Sequence, residues 1–327
     1  MKIAVYNYRE FDEGKYFQKF SEKYDVEIVK CYEAPSTENA SLASECYGVS
    51  VITSAITEDI IKSWYQLGVK HISTRTIGYD HIDFQAAEKY DMEVSNVTYS
   101  TASVANYTVM TMLMALRKMK MIMKRADGWD YSLKDSIGLE LENMTVGVIG
   151  TGAIGQKVIK NLSGFDCEIL AYDPFIKEKV KKYARYVSLD EIFEKSDILT
   201  FHVPATEDTY HIIRKETIDK MKDNVIIINT ARGSVINTND LIDALEKGKI
   251  GSCALDVIEN ELGLYYDDYK YENIGNRELS ILRDMPNVLL TPHMAFYTEQ
   301  AVSDMVEHSI VSIVASRDGK ENKFRVY

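Results

Sequence analysis

Residues 145–173, TVGVIGTGAIGQKVIKNLSGFDCEILAYD, constrain what this chain can fold into more than any other stretch. Val146, Val148 and Ile149 form a short apolar, β-branched run of the kind buried on both faces in a parallel sheet. Gly150, Gly152 and Gly155 follow as G-x-G-x-x-G. At that spacing the first glycine permits a tight turn and the second lets a pyrophosphate approach the backbone. The third lets the next helix pack closely on the strand. The pattern predicts a helix over about residues 154–162, whose first N–H groups and positive dipole end suit phosphate. A second strand, 168–172, ends in Asp173, 18 residues beyond Gly155. A carboxylate there accepts hydrogen bonds from ribose hydroxyls and repels a 2′-phosphate, so the expected cofactor is NAD rather than NADP. Glycines also serve ordinary turns. The strand before, the helix after and the acid at this distance make the pattern specific.

At 327 residues the chain is too long for one compact core, which predicts two domains. The net charge of −12, with no dense basic patch, argues against nucleic acid and anionic membrane as partners. The longest strongly apolar run, 109–116, is far short of a membrane span. Cys31, Cys46, Cys167 and Cys253 are scattered without a C-x-x-C, which predicts reduced thiols in the cytoplasm and no metal site. The chain enters a strand at Lys2, so no signal peptide is expected.

Along the chain, strands are expected at 2–6, 26–29, 49–52, 70–73 and 94–96, with helices at 12–24, 58–67 and 84–89. This first α/β unit has no glycine fingerprint. One long helix is expected over 103–125, with six methionines between Met110 and Met123. It reads as a buried crossing or interface helix rather than a calmodulin-type target. Beyond residue 172, strands are expected at 186–187, 198–202, 225–229, 252–256 and 288–291, alternating with helices at 189–195, 215–221 and 239–247. Such alternation predicts an α/β fold of parallel, doubly wound sheets. A last helix, 298 to about 315, is expected to return to the first unit. The expected domains are therefore a discontinuous catalytic domain, 1–100 plus 298–327, and a cofactor domain, 101–297.

In doubly wound sheets ligands bind beyond the C-terminal strand ends. Thr230-Ala231-Arg232-Gly233 follows one strand, Asp256 with Glu259 and Glu261 a second, and Pro292-His293 a third. Hydride transfer to a keto acid needs a cation for the carboxylate, a polarised carbonyl and a proton for the nascent alkoxide. Arg232 can offer a bidentate fork to the carboxylate and carbonyl oxygens. His293 can serve as acid in reduction and base in oxidation. A carboxylate against its other nitrogen would fix the tautomer and favour imidazolium, and Glu261 and Glu259 are both candidates. Arg75, in a loop after a strand of the first unit, is the alternative arginine.

These residues resemble the NAD-dependent D-2-hydroxyacid dehydrogenases, and within them the D-lactate dehydrogenase branch, the vancomycin-resistance type included. The resemblance covers nearly the whole chain. It is carried by STRTIGYDHID at 73–83, NVTYS at 96–100, VGVIGTGAIG at 146–155 and HVP at 202–204. NTARG at 229–233, ALDVIENE at 254–261 and TPHMAFYT at 291–298 carry it further. It implies Rossmann-like domains with the cofactor domain inserted in a discontinuous catalytic domain, and a homodimer. It implies that Arg232 binds substrate and polarises its carbonyl, that His293 donates the proton and that Glu261 is its partner. Asp256 is implied on the nicotinamide side, and Ala153, Ile154, Asp173, Val203, Pro204, Thr230 and Ala231 at NAD contacts. Ile77 and Gly78 match the loop whose amides hold the substrate carboxylate, and Tyr99 and Phe296 match pocket-lining positions.

Met294 departs from the threonine usual in D-lactate enzymes, Thr101 from a proline and Asn106 from an acid. Met294 adjoins His293, which bears on substrate size. The expected reaction is reduction of pyruvate or a related 2-keto acid to the D-2-hydroxy acid. The alternatives are a dehydrogenase for larger or aromatic keto acids, such as phenylpyruvate or 2-ketoisocaproate, and an NAD(H)-sensing, corepressor-like binding module. The Arg/Glu/His set favours an enzyme.

Overall fold

The computed structural model describes residues 1–261, 263–266 and 268–327. It divides into two compact units, Met1–Ser100 with Tyr297–Tyr327, and Thr101–Phe296.

The first unit runs β1 (Lys2–Val5), α1 (Gly14–Tyr24), β2 (Glu27–Lys30), β3 (Cys46–Val51), α2 (Glu58–Gln66), β4 (His71–Thr74), α3 (Phe84–Lys89) and β5 (Glu93–Ser95). All its strand pairs are parallel, in the order β2-β1-β3-β4-β5. The central strands are buried throughout or nearly so, as expected when helices cover both faces. α1 buries Phe17 and Phe20 and ends at Asp25, whose left-handed backbone (φ 51°) closes the last turn. α2 buries Ile60, Ile61 and Trp64, and Asp83 caps α3 by accepting from Ala86 N at 3.0 Å.

The second unit begins with α4 (Ala102–Leu116) and α5 (Met119–Asp127). The single long helix expected here is two, because Lys118 takes a left-handed backbone (φ 52°). Only α4 is buried along one face, at Val104, Ala105, Thr108, Val109, Thr111, Met112 and Leu116, while α5 buries none of its residues. The unit continues with β6 (Thr145–Ile149), α6 (Ala153–Leu162), β7 (Glu168–Tyr172), β8 (Arg185–Tyr186), α7 (Leu189–Lys195), β9 (Ile198–Phe201) and α8 (Lys215–Ile218). β10 (Val225–Asn229), α9 (Thr238–Glu246), β11 (Ile250–Leu255), α10 (Arg277–Asp284) and β12 (Val288–Leu290) complete it. α8 stops short of its expected end. α10 was not expected: RELSILRD is mostly polar and buries only Leu279 and Leu282, too few positions for a clear period.

The seven-stranded sheet of this unit is parallel, in the order β12-β11-β10-β9-β6-β7-β8. Chain order reverses between β6 and β9, the switch point at which such sheets take ligands. The same order sets the C-terminal ends of β10, β11 and β12 side by side.

The last helix, α11 (Glu299–Arg317), is capped by Thr298 and belongs to the first unit. It packs on α1, β3 and β4, and its Ser309 Oγ meets Ser50 Oγ at 2.7 Å. Among the described residues no helix is long and apolar enough to cross a membrane, and no cluster of His, Cys, Asp or Glu could hold a metal ion.

Candidate active site

The glycine turn after β6 has its geometry imposed by contact. Gly150 has φ +95°, and a methyl group on it would lie 2.4 Å from His202 O; one on Gly155 would lie 2.0 Å from Gly150 O. Gly152, by contrast, faces open space. The first helical bond of α6 runs from Gln156 N to Gly152 O at 3.0 Å, so the amides of Ala153, Ile154 and Gly155 precede the helical ladder. That is a cradle for a pyrophosphate. Asp173 Oδ2 accepts from Thr151 N and Oγ1 at 2.6 and 3.0 Å, and Oδ1 accepts from Phe175 N at 2.8 Å. A carboxylate offers about four acceptor sites, so capacity remains for a ribose hydroxyl. The residues present therefore fit NAD.

At the end of β10 the side chain of Asn229 folds the next turn. Its Oδ1 accepts from Ala231 N at 3.0 Å and its Nδ2 donates to Arg232 O at 2.9 Å. Thr230 Oγ1 meets Thr108 Oγ1 of α4 at 2.8 Å. The turn presents Arg232, half-buried, with Nη1 on Ala231 O at 2.8 Å. An Asn that opens a turn in this way is a signal legible in the sequence itself.

His293 follows β12 in a left-handed backbone (φ 50°), uncommon for a residue with a side chain. Asp256, at the end of β11 and 1% exposed, holds it there. Its carbonyl accepts His293 N at 2.8 Å; its Oδ1 accepts Thr291 Oγ1 and Met294 N at 2.6 and 2.8 Å, and its Oδ2 accepts Ala295 N at 2.8 Å. Burial pushes the Asp256 pKa up, against the pull of those hydrogen bonds. The structure thus gives Asp256 a clamping task that the sequence did not suggest.

The two glutamates after β11 separate. Glu261 Oε1 lies 2.6 Å from His293 Nδ1, and Glu261 Oε2 accepts Ile258 N at 2.9 Å. Glu259 instead meets His211 Nε2 at 2.6 Å. The Phe296 ring stands edge-on to the His293 imidazole, with centroids 6.3 Å apart. His202, on the loop with Val203 and Pro204, is no rival acid, since desolvation pushes its pKa down to about 3.

In the first unit, Thr76 Oγ1 donates to Gly78 O at 2.6 Å and Asn96 Nδ2 to Ile77 O at 2.8 Å. Among the described residues the N–H groups of Ile77 and Gly78 meet no protein acceptor. Tyr99 is half-buried in the same unit. Arg75 is unsuited to be the substrate arginine. It is fully buried, with Nε on Glu13 Oε1 at 3.0 Å, Nη1 on Ser50 Oγ at 3.1 Å and Nη2 on Tyr6 O at 3.0 Å.

Residues 109–295 match the family described as D-isomer specific 2-hydroxyacid dehydrogenase, NAD binding domain. An aromatic 2-oxoacid reductase of Clostridium sporogenes is 42% identical over 318 residues, covering 96% of this chain and 95% of that protein. A D-specific alpha-keto acid dehydrogenase of Enterococcus faecium is 42% identical, covering 94% of each chain. The crystal structure of a D-lactate dehydrogenase from Treponema pallidum superposes with a TM-score of 0.89 at 31% identity, covering 100% of both chains. With the glycine cradle, Asp173 and the strand-end arginine, glutamate and histidine all present, the chain belongs to the NAD-dependent D-2-hydroxyacid dehydrogenases.

Proposed function

We propose that this enzyme reduces a 2-keto acid to the D-2-hydroxy acid, with Arg232, His293 and Glu261 as its catalytic residues. The observation that best supports this is the 2.6 Å contact of His293 Nδ1 with Glu261, because it leaves Nε2 as the nitrogen for substrate. Bound NADH supplies the hydride to the carbonyl carbon. Arg232 binds the carboxylate and carbonyl oxygens and draws charge toward the latter. His293, as imidazolium, gives the Nε2 proton to that oxygen as it becomes an alkoxide. Glu261 keeps the ring oriented and compensates its charge. In oxidation the neutral imidazole takes the proton back. The amides of Ile77 and Gly78 hold the carboxylate, and Tyr99 and Phe296 line the side-chain pocket. Ala153, Ile154, Asp173, Val203, Pro204, Thr230, Ala231 and Asp256 contact NAD. The working form is a homodimer, as the D-lactate branch implies, in the cytoplasm, where the four scattered cysteines stay reduced.

Pyruvate is the first substrate reading, from the resemblance to D-lactate enzymes. A larger or aromatic keto acid is the second. It is favoured by the 42% identical relative of Clostridium sporogenes, an aromatic 2-oxoacid reductase, and by the flexible Met294, which can vacate space beside His293. Both readings are tested with NADH and a panel of pyruvate, 2-ketobutyrate, 2-ketoisocaproate and phenylpyruvate, following 340 nm absorbance. A methylene in an apolar pocket is worth about 10–200-fold, so several acids should turn over. A kcat/KM for phenylpyruvate far above that for pyruvate establishes the second reading. Chiral chromatography should show the R product; an L product, or NADH binding without turnover of any keto acid, overturns the proposal.

A further inference from the structure

On the proposed function, one glutamate is left over. We infer that Glu259, through His211, is a positioning residue that holds the loop bearing Glu261 against the turn bearing Arg232.

Both Glu259 oxygens are engaged. Oε1 meets His211 Nε2 at 2.6 Å, while Oε2 accepts Thr238 N at 2.8 Å and Thr238 Oγ1 at 2.7 Å. Thr238 opens α9, so the carboxylate satisfies one of the helix's unpaired first-turn amides and sits at its positive end. Burial works against the charged carboxylate, but the His211 and Thr238 hydrogen bonds outweigh it and hold the Glu259 pKa below its ordinary value.

The hydrogen on His211 can be assigned. Asn237 Oδ1 accepts Asp240 N at 3.1 Å as the cap of α9, which turns Asn237 Nδ2 toward His211 Nδ1, 3.3 Å away. An amide nitrogen only donates, so Nδ1 accepts and Nε2 carries the hydrogen given to Glu259. His211 thus donates from Nε2 and accepts at Nδ1. Its own backbone N donates to Ser234 O at 2.9 Å, two residues beyond Arg232.

Contact then carries the constraint to the catalytic pair. A methyl group on Gly233 would lie 2.0 Å from Ile258 O and 2.6 Å from Glu259 N, so the 258–259 peptide is pressed against the residue that follows Arg232. On the other side of the same Ile258 residue, its N–H, in the preceding peptide, donates to Glu261 Oε2 at 2.9 Å, and Glu261 Oε1 meets His293 Nδ1. Glu259 therefore acts through Glu261 and the Arg232 turn.

A double-mutant cycle on keto-acid reduction tests this, with NADH affinity followed by fluorescence. Glu259→Gln should lower kcat by about 10–100-fold, the scale of a displaced catalytic group. NADH affinity should stay within about twofold, and in a Glu261→Gln background the same change should cost less than about threefold, since the two act as one unit. His211→Gln, which keeps a donor, should retain at least about fivefold more kcat than His211→Leu. Additive losses in the cycle, or equal kcat in the two His211 variants, would overturn the inference. If Glu259→Gln cannot be purified folded, the His211 pair alone decides. Wild-type protein that turns over no keto acid overturns the proposed function and this inference together; active wild type with a near-normal Glu259→Gln overturns only the inference.

Discussion

The His293 imidazole and the Glu261 carboxylate meet at 2.6 Å, Nδ1 to Oε1, across 32 residues of sequence. Glu261 sits on the loop after β11 and His293 after β12, so the contact exists because those strands are neighbours. Glu261→Gln keeps the shape and removes the charge that compensates imidazolium. We expect keto-acid reduction to lose about 10²-fold or more in kcat, the scale of general acid catalysis. KM and NADH affinity should change little. Stopped-flow and steady-state rates check this; a kcat near wild type would move the partner role away from Glu261.

Arg232→Lys retains the positive charge but not the planar fork. Loss of one preorganised donor costs about 10²–10³-fold, so kcat/KM for the best keto acid should fall by at least about two orders of magnitude. Near-normal turnover would require another cation, and Arg75 cannot supply it, since its guanidinium is engaged with Glu13, Ser50 and the Tyr6 and Asn7 carbonyls.

Asp173 ends β7 with its carboxylate on the glycine turn. A 2′-phosphate there would meet like charge, which costs several kcal/mol, so kcat/KM should favour NADH over NADPH by about 10²-fold or more. Asp173→Ser should narrow that ratio chiefly by improving KM for NADPH. Equal use of both cofactors by the wild type would show that the carboxylate does not select.

The pair Arg75–Glu13 is buried on both sides and extends to Arg9, whose Nη2 lies 3.1 Å from Glu13 Oε1. Removing one partner of such a pair strands a buried charge, at about 3–5 kcal/mol. Glu13→Gln should therefore lower the denaturation midpoint of the protein markedly. Replacing Arg9, which is 19% exposed, should cost less. Chemical denaturation of the two variants compares them directly, and equal midpoints would show that the buried cluster contributes no more than its rim.

Local sequence carried the NAD reading completely. A β-branched run, three glycines and an acid at fixed distances specify β6, α6, β7 and their ligand, because each is set by neighbours within about thirty residues. The alternation of apolar runs with helical periods likewise specified two parallel sheets and a last helix beginning near residue 298. What the chain order could not specify is who meets whom at the strand ends. Glu259 and Glu261 differ by two residues in one loop, yet one pairs with His211 and the other with His293. Arg75 follows a strand as Arg232 does, yet it is sealed inside the first unit by a glutamate 62 residues earlier. These outcomes depend on strand order and on which atoms a turn brings within about 3 Å, and both are set by packing over the whole unit. The break at Lys118 has the same origin: composition favours one continuous helix, while α4 is buried along one face and α5 buries none of its residues.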